Sequence, residues 1–111
     1  MGDARKVQKP VRLSLAYRGL SGLPPDLVDQ CRLTLVELDM SNNKVSDLRF
    51  LVDLCVLETL VLDNNLVTSQ VKVPYLPQLH TLWLNHNRIE NLGKPSNEQV
   101  VYICLFVCVC F

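Results

Sequence analysis

Apolar residues recur along this chain in a fixed rhythm. The segments LVELDMSNNKV (35–45), LETLVLDNNLV (57–67) and LHTLWLNHNRI (79–89) begin 22 residues apart twice in succession, and each fits L-x-x-L-x-L-x-x-N-x-φ, with φ aliphatic. The aligned apolar positions are Leu35, Leu38, Met40 and Val45; Leu57, Leu60, Leu62 and Val67; and Leu79, Leu82, Leu84 and Ile89, with an Asn recurring at 43, 65 and 87. Self-similarity at such a period is the signature of a repeat architecture. A degenerate first unit precedes them, with Leu13, Leu15 and Leu20 in phase if Pro10 takes the first Leu position and Arg18 the Asn position. From Leu13 to Leu38 is 25 residues, so the loop around PPDLVDQC carries the excess and is expected to form a short N-terminal cap, buried through Leu23, Leu27 and Cys31.

The L-x-L core of each unit alternates as a short β-strand does, placing leucines inward and their neighbours outward. Identical strands at a constant period then stack side by side as a parallel sheet. Asn43, Asn65 and Asn87 follow each strand because a carboxamide offers both donors and acceptors to the backbone of a turning chain. Between units, SDLRFLVDL has Leu48, Leu51 and Leu54 three apart, which predicts a helical or 3₁₀ return. TSQVKVPYLPQ contains two prolines and β-branched residues, which predict an extended one.

These motifs resemble the 22-residue class of intracellular leucine-rich repeat proteins over about residues 10–93. The resemblance implies an α/β solenoid with a short parallel sheet on its concave face and irregular, 3₁₀ or helical returns on its convex face. It further implies a protein-binding scaffold without catalytic activity. LETLVLDNN and LPQLHTLWLNHNRIENL are also similar to the central part of one member of that class, which implies a setting in melanocyte differentiation and suggests a truncated or variant form. The expected organisation is an N-terminal arm (1–9), about 3.5 repeats (10–93) and a non-repeat tail (94–111).

In a solenoid, the outward strand positions form the binding face: Arg12, Ser14 and Ala16, then Glu37, Asp39, Ser41, Thr59, Val61, Asp63, Thr81, Trp83 and Asn85. Val61 and Trp83 fall side by side among acidic and polar neighbours, as an interface anchor does. The competing reading has Trp83 covered by the tail or by a further repeat. Eleven Lys plus Arg balance eleven Asp plus Glu, which removes the basic footprint of a nucleic-acid binder. No small-molecule substrate, cofactor or metal is expected. His80 and His86 lack partners at metal-ligand spacing, no nucleophile stands in a recognisable catalytic set, and Gly19 and Gly22 do not make a phosphate loop.

The first twenty residues lack the apolar core of a secretory signal, and Lys6 stands where myristoylation requires Ser or Thr. Five cysteines without a C-x-x-C pair point to free thiols in a reducing compartment, with Cys31 and Cys55 buried in the returns. The expected location is the cytoplasm, with the nucleus open. After the polar GKPSNEQ, the tail VVYICLFVCVCF is apolar to its end yet shorter than the roughly 20 residues of a membrane span. Four readings of it stand: prenylation at Cys108, palmitoylation or metal binding by Cys104, Cys108 and Cys110, an edge strand closing the last repeat, and a truncated variant carrying a non-family ending. The abrupt change in composition favours the last. The function expected overall is an adaptor binding a protein on the concave sheet; the alternative is a membrane-associated protein held by an apolar or lipidated tail.

Overall fold

The computed structural model describes residues 9–89 and the backbone of Cys108–Cys110. Expectations for residues 1–8, 90–107 and 111, Cys104 among them, lie outside the described residues. Strands β1 (Val11–Ser14), β2 (Leu35–Asp39), β3 (Thr59–Val61), β4 (Thr81–Trp83) and β5 (Cys108–Cys110) form one sheet in sequence order. Every neighbouring pair is parallel. With helix α1 (Pro25–Cys31) in the first return, the architecture is α/β.

The repeat sets the register. Leu38 pairs with Leu60 and Leu60 with Leu82, so residues 22 apart in sequence lie side by side in the sheet. Leu13 pairs with Leu38, which places the degenerate first unit in the expected phase. At its start the register differs: Val11, not Pro10, sits opposite Leu35, with an irregularity between Val11 and Arg12. Pro10 has no N–H with which to join the ladder, whereas the Val11 N–H donates to Thr34 O at 2.8 Å.

The inward leucines of all units merge into one core. Leu38, Met40, Leu60, Leu62 and Leu82 are at most 1% exposed, as are Leu48, Leu51 and Leu54 from the second return. That return makes a 3₁₀ turn at Arg49–Leu51, as the three-residue spacing predicts, because side chains three apart eclipse one another in this geometry. The third return, 68–78, contains no helix and touches the next unit through a parallel bridge between Thr68 and Arg88.

The PPDLVDQC segment forms the return between β1 and β2, where the long spacing from Leu13 to Leu38 puts the extra residues. Pro25 near the start supplies a fixed φ and Asp26 sits in the positive first turn, both favourable to a helix beginning there. Its inward stripe is Val28 and Cys31, three residues apart, while Leu27 is only partly buried. Cys55 also departs from expectation. It follows Leu54 in the outward phase and is exposed, its Sγ 3.9 Å from Arg32 O, whereas Cys31 is buried.

A side-chain ladder joins the units. The Asn65 carboxamide nitrogen donates to Leu62 O and Asp63 O of its own turn and to Met40 O of the unit before, while its oxygen accepts from Val45 N of that unit. Asn87 repeats this one unit on, donating to Leu62 O and accepting from Val67 N. Asn43 does so one unit earlier, donating to Leu15 O and accepting from Arg18 N and Leu20 N. Each Asn therefore closes its own turn and fastens it to the preceding one. The residue just before each ladder position is left-handed: Tyr17 (φ 59°), Asn42 (58°), Asn64 (56°) and His86 (58°). Asn tolerates that region better than a bulky side chain does.

Two stability outcomes follow. Asn65→Ala orphans several backbone groups in the core, at about 1 to 3 kcal/mol for each left without a partner, and urea titration should show a larger loss than for Asn87→Ala, whose site is half-buried. Tyr17 is 79% exposed and packs little, so Tyr17→Asn should raise stability by about 1 kcal/mol by relieving left-handed strain. In differential alkylation read by peptide mapping, Cys55 should be labelled well before Cys31, whose thiol is both buried and pushed up in pKa by desolvation.

Candidate functional site

The parallel register arranges the outward residues in rows. One row runs Arg12, Glu37, Thr59, Thr81 and the next Ser14, Asp39, Val61, Trp83. A third, Ser41, Asp63 and Asn85, lies just beyond the strands. Cross-unit bonds continue the ladder to these residues: Asn42 N donates to Asp63 O and Asn64 N to Asn85 O, both at 2.8 Å. All nine expected face residues from Glu37 to Asn85 are thus brought onto one side of the sheet, and each retains solvent exposure.

Trp83 and Val61 are direct neighbours in register. Trp83, the last residue of β4, remains 39% exposed although it is the largest side chain in the chain. Among the described residues the other large exposed apolar side chains are Tyr17, Leu33, Val52 and Tyr75, none of which lies in a strand. On its far side Trp83 is in register with Cys110, and Thr81 with Cys108, the candidate lipidation position. Residues 108–110 therefore extend the sheet, as the edge-strand reading of the tail expects.

The two aspartates of the face are each anchored by a backbone N–H. Asp39 Oδ1 accepts from Ser41 N at 2.9 Å and Asp63 Oδ1 accepts from Asn85 N at 2.8 Å, the second bond crossing between units. Glu37 lies 3.8 Å from the Arg12 guanidinium, with both side chains largely in solvent. Such an exposed contact contributes little to stability, about 0 to 1 kcal/mol, and is readily exchanged for another.

The histidines flank this face. His80 precedes β4, with Nδ1 at 3.0 Å from Thr81 Oγ1 and Nε2 at 3.7 Å from Glu58 Oε1. His86 occupies the left-handed turn position that Asn fills in the two preceding units. Its place in the repeat accounts for its spacing from His80. No group of three or more His, Cys, Asp or Glu among the described residues is arranged to hold a metal ion.

Across the molecule, the first and second returns border an open depression of about 520 Å³ lined by residues 19–24 with Asp47, Arg49 and Phe50. Asp47 binds the Arg49 side chain and its backbone N–H, which holds the Asp47 carboxyl below the usual range. The two charges neutralise each other, and apart from Ser21 the rest of the lining is apolar or glycine. The depression offers no uncompensated charge, and no titratable base stands among the lining residues to activate Ser21 beyond the paired Asp47. No helix among the described residues is long and apolar enough to cross a membrane.

The fold and this face define an α/β chain of stacked repeats that displays a row of outward side chains on a parallel sheet. Of known proteins it is similar to human leucine-rich melanocyte differentiation-associated protein, with 47% identity over 58 residues, half of this chain. The chain covers 29% of that protein's length. No family profile matches the sequence, and no solved structure matches it.

Proposed function

We propose that the chain is a short leucine-rich repeat solenoid that acts as a non-catalytic interaction module, an adaptor binding a protein partner on its concave sheet. The Asn ladder, the 22-residue register and the helical or 3₁₀ returns support the solenoid reading. The observation that carries the binding reading is the Val61–Trp83 pair, which sits on the outward face next to oriented polar groups and keeps its tryptophan partly in water.

A rigid sheet suits this task physically. Its backbone is held by the ladder and two of its carboxylates by backbone N–H groups, so less conformational entropy is lost when a partner docks than on a loop surface. Tryptophan supplies a large contact area with few rotatable bonds and ranks among the residues that dominate binding energy. Charged and hydroxyl neighbours form the polar rim. By its similarity to the human protein, the module's setting is melanocyte differentiation.

The test is Trp83→Ala compared with Tyr75→Ala, which removes an exposed aromatic residue from the third return. Both variants should melt within a few degrees of the parent protein. Trp83→Ala should lower affinity for partners recovered from melanocytes by about 2 kcal/mol or more, the scale of an interface anchor, and Tyr75→Ala should leave it unchanged. Equal recovery by all three proteins contradicts the proposal.

A further inference from the structure

We infer that the concave face is built for a basic segment of a protein partner, whose apolar side chain seats on Val61 and Trp83 while a neighbouring Lys or Arg is held by Glu37, Asp39 and Asp63. This rests on the binding role proposed above and adds the chemistry of the partner.

The face is asymmetric in both charge and polarity. Arg12 is its one cation among the described residues, and it stands at the β1 edge beside Glu37. Asp39 and Asp63 have no cation within ion-pair range among the described residues. Although the whole chain is neutral, this face carries an excess of negative charge. Local potential, not net charge, selects a partner.

The two aspartates are also prepared for a cation. Oδ1 of each is anchored by a backbone N–H, from Ser41 or Asn85, which restricts the carboxylate's rotation. An oriented carboxylate loses little freedom when a guanidinium or ammonium arrives. The Arg12 contact with Glu37 is long and exposed, so an incoming cation can displace it.

Geometry sets the spacing of the partner's groups. Asp39 and Trp83 occupy one register row two strands apart, which is about 10 Å at the usual strand separation. Asp63 lies next to Val61, just past the end of β3, closing the acidic arc around the apolar pair. In an extended segment that distance corresponds to a basic residue about two to four positions from an aromatic or aliphatic anchor. An acidic or purely apolar segment would leave the three carboxylates desolvated without compensation.

The test selects binders from a displayed library of random twelve-residue peptides on the full chain, then measures the enriched peptides by titration calorimetry. The variants are Trp83→Ala and the combined Glu37→Gln, Asp39→Asn, Asp63→Asn protein. The amides keep the acceptors for Ser41 N and Asn85 N, so the combined variant removes charge while preserving the fold, which circular dichroism verifies. The expected result is enrichment of Lys or Arg near an apolar anchor, with affinity lowered about tenfold or more both by the combined variant and by raised salt. Peptides lost with Trp83→Ala but lacking basic residues and indifferent to the combined variant overturn the inference while leaving the binding role intact. Failure to enrich any peptide, or binders insensitive to Trp83→Ala, overturns both. Dimerisation in sedimentation that Trp83→Ala abolishes also overturns the inference, in favour of a second copy as occupant.

Discussion

The structure depends on one side-chain group placed at one phase of the repeat, the carboxamide of the ladder asparagine. A chain that turns sharply after every short strand leaves backbone N–H and C=O groups inside the molecule, where water cannot reach them. Asn65 meets this constraint with a single side chain, serving its own turn and the turn before it. Because the contact reaches across units, it sets the distance and rotation from each unit to the next. Leucine packing then fills the space that this spacing defines, and none of the buried side-chain polar atoms among the described residues lacks a hydrogen-bond partner.

From that lattice the outward face follows without further design. The same register that stacks Leu38, Leu60 and Leu82 in the core stacks Asp39, Val61 and Trp83 outside it. The outward residues are free to differ because they have no role in the core, and their variation along the rows gives the sheet its acid-to-apolar gradient. Core-facing and outward positions are divided by the two-residue period of the strand.

Much of this was legible in the sequence because the period is explicit. Five positions held in three copies specify strands, register, core and ladder, and the three-residue spacing of Leu48, Leu51 and Leu54 was enough to foretell a 3₁₀ return. The departures share a cause: they fall where the repeat is irregular. Counting back three residues from Leu13 aligns Pro10 with the first Leu position, but a bulge after Val11 shifts the first unit's start by one residue. In the first return the pattern has no second copy for comparison: spacing points to Leu23, Leu27 and Cys31, and the helix buries Val28 in place of Leu27. The chemistry of a free thiol points Cys55 to the core, but its position one residue past Leu54 turns it outward. The left-handed turn has a signal in the Asn-Asn doublets at 42–43 and 64–65, but Tyr17 and His86 disguise the position in the outer units. The face residues were legible as positions, but the fixing of Asp39 and Asp63 by backbone N–H groups depends on turn geometry that spacing alone does not convey.

The central claim is that the asparagine side chains join successive units, and amide hydrogen exchange at Val45 and Val67 tests it most directly. Their N–H groups donate to Asn65 Oδ1 and Asn87 Oδ1 at 2.9 Å, in loops beyond the strands. If the ladder holds the units together, these two amides should exchange as slowly as those of Leu60 and Leu62 in and beside the central strand, opening only when the whole sheet opens. Exchange at the rate of the exposed loop amides around Gln70 and Lys72, while the strands remain protected, would contradict the account.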